Sequence, residues 1–124
     1  MVMAAAALAS QIATATPEAV VQAQLDAYNA QNLEQFLATY SDHVVIADVG
    51  GVVTGEGKAA LRQRYSDMFK ANPKNHADVA HRIVIGNKVI DHELVKRDGM
   101  TVAFEALAIY TVTDGQIARV DFVK

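Results

Sequence analysis

VAHRIVIGNKVIDHELVKRDGMTVAFEALAIYTVTDGQIARVDFV, running from Val79 to Val123, is the stretch whose reading decides the fold. Four segments rich in β-branched and aromatic residues, Val79–Ile85, Lys88–Arg97, Met100–Thr113 and Gln116–Val123, are separated by Gly86-Asn87, Asp98-Gly99 and Asp114-Gly115. Such dipeptides accept the positive φ angles of two-residue hairpin turns, so the segments are predicted to pair antiparallel in sequence order. Two-residue turns also predict a register: Ile85 opposite Lys88, Arg97 opposite Met100, and Thr113 opposite Gln116.

Side chains alternate across a strand, so this register sorts the residues into two faces. One mostly apolar face carries His81, Ile83, Ile90, His92, Leu94, Glu105, Leu107, Val120 and Phe122, and is read as facing a cavity. On it His81 falls opposite His92 and His92 opposite Glu105, one ionisable row across three strands. The other face carries Arg82 opposite Asp91, Glu93 opposite Phe104 and Tyr110 opposite Arg119, with Val89, Val95, Ala106 and Ala108 between them. Paired charges among apolar residues predict a homodimer through that outer sheet face. A one-residue slip at any turn exchanges the faces beyond it.

Working outward, Thr16-Pro17-Glu18 reads as a helix start, with a hydroxyl cap, proline in the first turn and an acid near the positive dipole end. The helix runs to about Ala30, with Val20, Val21, Gln24, Leu25 and Tyr28 on or beside one stripe. Asn32 caps a second helix whose apolar face is Leu33, Phe36, Leu37 and Tyr40. His43–Val49 reads as a strand, and Gly50, Gly51, Gly55 and Gly57 as turn-formers without phosphate-loop spacing. A third helix covers about Lys58–Ala71 and stops at Asn72-Pro73. Helices, a short strand, a helix and then a run of strands imply an α+β fold, three helices packed on one face of a curved sheet.

The 124 residues make one domain, residues 17–124, preceded by an alanine-rich extension over 1–16. With 52% hydrophobic and 20% charged residues the composition is that of an ordinary globule. A net charge of −3 without a Lys/Arg cluster predicts no nucleic-acid partner. No cysteine is present, which excludes thiolate catalysis and cysteine-held metals. No apolar run approaches the roughly 18 residues of a membrane span. The alanine-rich start has no Lys or Arg ahead of a weakly hydrophobic core, so it is read as an extra N-terminal helix or extended arm, not a signal peptide, and the location as cytoplasmic.

PEAVVQAQLDAYNAQNLEQFLATYSDHVVIADVGG, then GKAALRQRYSDMF, then IYTVTDGQIARV within the hairpins resembles the superfamily of ketosteroid isomerase, SnoaL-type polyketide cyclases and nuclear transport factor, over about Pro17 to Lys124. The resemblance implies a cone: a bent mixed sheet wrapped around a long helix, with an apolar pocket open at one end, often in a dimer and usually without metal or other cofactor. The isomerases carry their catalytic aspartate on the first strand after the second helix, where Asp48 falls here. Their two oxyanion donors correspond to Gln24, with Tyr28 one turn later, and to Leu107. Neither Gln24 nor Leu107 is the expected donor, so steroid isomerisation proper is not implied.

The candidate catalytic residues are therefore Asp48, His92, His81 and Glu105, with Gln24, Tyr28, Tyr65, Leu107, Val120 and Phe122 lining the pocket. Asp48 alone fits a turn-capping role as well as a general base. The row could be a proton relay in which Glu105 fixes the His92 tautomer, or a self-satisfied structural network, and two histidines with a carboxylate also match a facial metal triad. Two functions fit: an acid–base enzyme without cofactor (isomerase, cyclase, dehydratase or hydrolase-like) on a hydrophobic organic substrate, or a ligand-binding or interaction domain without catalysis.

Overall fold

In the computed structural model, which describes residues 15–124, the chain enters its first helix where the hydroxyl precedes the proline. Thr16 Oγ1 accepts from the Ala19 N–H at 3.1 Å, capping α1 (Pro17–Asn29). Asn32 Oδ1 likewise accepts from the Gln35 N–H and opens α2 (Leu33–Ala38). Then follow β1 (Tyr40–Asp48), β2 (Val53–Glu56), α3 (Lys58–Ala71), β3 (His76–Ile85), β4 (Lys88–Lys96), β5 (Phe104–Thr113) and β6 (Gln116–Val123). The stripe Val20, Val21, Gln24, Leu25 and Tyr28 is buried. The short β2 replaces part of what reads in sequence as a glycine-rich turn, and the extension at 1–16 falls, but for Ala15 and Thr16, outside the described residues.

The strands form one six-stranded sheet in the order β2-β1-β6-β5-β4-β3. The four C-terminal strands pair antiparallel in sequence order, as their turns predict, and β1 joins β6 in parallel, which makes the sheet mixed. The curved sheet and three helices make an α+β cone, and among the described residues no helix is long and apolar enough to cross a membrane. Phe36 sits at the centre of an aromatic cluster, with ring centroids 4.6 Å from Tyr65, 5.0 Å from Tyr40 and 6.0 Å from Tyr28. Beside it, the Asn29 amide bonds both the carbonyl (3.0 Å) and the N–H (2.8 Å) of Ala77, so the end of α1 satisfies the free edge of β3.

The register departs from the expected one in three places. Ile85 does face Lys88 and His81 does face His92, but a bulge between Val79 and His81 turns Val79 and Ala77 to the opposite side. A second bulge between Thr111 and Val112 sets Tyr110 opposite Val120, where the sequence predicts Arg119. The third departure is the β4–β5 connection. Arg97 does not face Met100; Val95 faces Phe104, across a loop that turns on Asp98. Asp98 Oδ1 accepts from the N–H groups of both Met100 and Thr101 at 2.8 Å, which drains hydrogen bonds from the expected strand start. Gly99, at φ 79°, completes this loop against Lys74, whose carbonyl would lie 2.7 Å from any Cβ placed there.

The faces are also inverted. Val89, Asp91, Glu93, Val95, Ala106, Ala108 and Tyr110, expected outside and in a dimer contact, are buried and face the helices. The face expected to line a cavity is the outer one, and Ile83 and Ile85 are 54% and 66% exposed on it. Val120 and Phe122 escape the exchange because the bulge at Thr111/Val112 returns them to the inner side. Both faces are apolar, so alternation separates them without saying which one the helices cover.

Candidate functional site

The inner face and the helices leave a cavity of about 720 Å³ open at one end. Gln24 and Tyr28 from α1, Tyr65 and Met68 from α3, and Glu93, Ala106 and Tyr110 from the sheet form its deeper wall. Asp48, Val49, Thr54, Arg64, Val123 and Lys124 are exposed or at its rim. A small residue helps make the space: Ala106, on the inner face of β5, lines the cavity, and a larger side chain there would project into it. Of the pocket residues expected from sequence, Asp48, Gln24, Tyr28, Tyr65 and Phe122 line it. Val120 is buried in the core beneath it.

His81, His92, Glu105 and Leu107 do not line it. The row itself forms: the His81 and His92 rings stack at 5.8 Å with 20° between planes, and His92 Nε2 lies 2.7 Å from Glu105 Oε1. Because of the β4–β5 register, however, His92 faces Leu107 and Glu105 faces Leu94, and the row lies on the outer face with the Glu105 side chain 63% exposed. It has no access to the cavity. Leu107 shares that face, so the wall position assigned to it belongs to its neighbour Ala106. Nor do the three side chains converge as a metal triad; among the described residues no group of His, Asp and Glu is arranged to hold an ion.

The buried carboxyl of the cavity wall is Glu93, which the sequence reading places on the wrong face. Its neighbour two residues back along the strand, Asp91, is 1% exposed and held by a bidentate Arg82, with Nε to Oδ1 at 2.7 Å and Nη2 to Oδ2 at 2.9 Å. Arg82 also donates to Gln22 Oε1 on α1 at 2.8 Å. Asp91 thus takes the cation, and Glu93, 8% exposed, has none within ion-pair distance among the described residues. Burial, reinforced by the charge of Asp91, pushes the Glu93 carboxyl up to about 7. The Tyr110 hydroxyl, donating to Glu93 Oε2 at 3.4 Å, opposes that rise in part.

The surrounding phenols are donors and not bases. Burial raises Tyr40 and Tyr110 well above their usual range and raises Tyr28 and Tyr65 as well, so each keeps its proton near neutrality. Gln24, 5% exposed, lines the cavity, and its buried Oε1 has no hydrogen-bond partner among the described residues. A buried amide oxygen in that position is an acceptor held ready for a donor on a ligand. Together the deeper wall offers a carboxyl that can give or take a proton near neutral pH, one free acceptor and several phenolic donors among apolar side chains.

Comparison with known proteins agrees with this architecture. The family described as SnoaL-like domain matches residues 21–120. An uncharacterized cystatin-fold protein from Novosphingobium aromaticivorans superposes with a TM-score of 0.79 and 28% identity, over 88% of this chain and 98% of that one. An NTF2-like protein of unknown function from Cytophaga hutchinsonii gives 0.72 and 18%, over 87% and 88%. A proposed polyketide cyclase from Sinorhizobium meliloti gives 0.71 and 21%, over 84% and 93%. No curated protein matches.

Proposed function

The chain belongs to the SnoaL-like domain family, and we propose that it is a proton-transfer enzyme acting on a hydrophobic organic molecule bound in the cone, with Glu93 as the group that moves the proton. One observation carries this reading: a carboxyl buried on the wall of an open cavity, without a cation, and pushed up to about 7. Both oxygens of the Asp91 carboxylate are taken up by Arg82, which leaves Glu93 as the buried carboxylate without a cation among the described residues. A carboxyl held near neutrality is present in both forms and can take a proton from one substrate atom and return it to another.

The neighbours divide the remaining work. Tyr110 orients the Glu93 carboxyl, and the Gln24 amide oxygen and Tyr28 hydroxyl hold polar groups of the substrate. Phe104, Tyr65 and Met68 exclude water around its body. Asp48, exposed at the rim, is the second acid–base group, reached by a substrate that spans the opening. This arrangement suits enolisation, dehydration or aldol-type ring closure, all of which begin with removal of a proton from carbon or oxygen.

The test needs no natural substrate. 5-Nitrobenzisoxazole opens to a coloured cyanophenolate when a base removes the C3 proton of its isoxazole ring and the N–O bond breaks, and an apolar pocket with a carboxylate accelerates that step. The protein should accelerate it with a rate that rises through a midpoint near pH 7, and Glu93→Gln should abolish the acceleration. An equal rate in Glu93→Gln, or none above buffer in the parent protein, would leave a binding pocket without proton transfer.

A further inference from the structure

Proton transfer through Glu93 leaves the charge of the cavity unexplained. Three cationic side chains, Arg64, Arg97 and Lys124, line it against two carboxylates, Asp48 and Glu93, in a chain whose net charge is −3. None of the three forms an ion pair among the described residues. Arg64 donates to the Thr54 carbonyl at 2.8 Å, and Arg97 to the neutral Asn75 Oδ1 at 2.7 Å. The guanidinium carbon of Arg97 lies 5.1 Å from the centre of the Phe104 ring. Lys124 Nζ lies 5.8 Å from that same ring and 5.4 Å from the Phe122 ring. Two like charges thus lie against one aromatic ring of the cavity wall. The attraction of each to the ring is modest, and among the described residues no carboxylate lies within ion-pair distance of either.

We propose that the cavity takes an organic anion: an apolar, ring-sized body with a carboxylate that is received by Arg97 and Lys124 above Phe104. Glu93 and Val95 on the inner side of β4 and Arg97 just beyond its end all line the cavity, so the cation stands four residues, about 13 Å of extended chain, from the proton-transfer group. A carboxylate at Arg97 therefore keeps clear of Glu93 while the body of the molecule reaches back toward it. Arg97 supplies a planar fork suited to two carboxylate oxygens, and Lys124 a mobile point charge. The proposal rests on this cavity being the substrate site, but not on Glu93 doing chemistry there.

Binding of 2-naphthoate and of its neutral isostere 2-naphthamide, measured by calorimetry near pH 8, tests it. The carboxylate should bind about tenfold tighter or more, as a charge-assisted contact predicts. The preference should vanish in Arg97→Gln, return in part in Arg97→Lys, and weaken in Lys124→Gln. It should persist in Glu93→Gln, which removes a repulsive charge. Lys124 is exposed, so Lys124→Gln keeps the test open if Arg97→Gln does not fold. Equal affinity for the two compounds, tighter binding of the amide, or no saturable naphthoate binding at millimolar concentration would overturn the anion site. A preference lost while Glu93-dependent opening of 5-nitrobenzisoxazole continues would sink this proposal alone.

Discussion

Replacing Glu93 with Gln should stabilise the protein at high pH and do little at low pH. The carboxyl is raised from 4.5 to about 7 by burial, so the folded state holds its proton where the unfolded chain has released it. Its contribution is therefore fully present below about pH 4.5 and lost as pH rises through 7. A displacement of about two and a half units corresponds to about 3 kcal/mol of stability lost between those limits. Gln resembles the protonated form in shape and hydrogen bonding and does not titrate. Urea unfolding of both proteins, followed by circular dichroism from about pH 5 to pH 8, isolates this group, because every other titrating side chain is common to the two. The Gln variant should gain on the parent steadily across the range, reaching a lead of about 3 kcal/mol. A difference that stays constant with pH would refute the reasoning, since it would mean that Glu93 titrates alike in the folded and unfolded chain.

Removing Arg82 by Arg82→Ala leaves Asp91, 1% exposed, without its bidentate partner, and should cost about 3–5 kcal/mol in the same unfolding measurement. Phe36→Ala empties the centre of the aromatic cluster and should cost about 3–5 kcal/mol, with near-ultraviolet circular dichroism of the neighbouring tyrosines reduced. Gly99→Ala meets both a positive φ and the Lys74 carbonyl; thermal melting should show a loss of about 1–3 kcal/mol, whereas a neutral outcome would mean that the loop shifts freely. His92→Ala, which breaks a contact on the outer face, should leave 5-nitrobenzisoxazole opening unchanged; a large loss would return that row to the site.

Much of the fold is legible because its signals are local. Lys58–Ala71 is helix to the residue, Gly86-Asn87 and Asp114-Gly115 are two-residue turns, and Thr16 caps α1. The candidate site is less legible because it depends on which face the helices cover. The outer face carries Ile83, Ile85, Ile90 and Ile109, bulkier than the alanines of the inner one, so side-chain hydrophobicity points the wrong way. The useful signal is size: Ala106 and Ala108 alternate between Phe104 and Tyr110, a pattern that leaves room for a helix and a cavity. Bulges carry no comparable mark. The one at Thr111/Val112 brings Phe122 to the cavity, and the one at Val79/His81 separates Val79 from His81. Glu93 and Asp91 look alike in sequence, and only the Arg82 contact to Asp91 tells the paired carboxylate from the one left to titrate.

Carbon NMR titration of the Glu93 side-chain carboxyl, assigned by its loss in Glu93→Gln, tests the account most directly. The account predicts a midpoint near 7, well above the ordinary glutamate range. A midpoint near 4.5 would show a carboxylate that water or a cation already satisfies, and the cone would lose its proton-transfer group.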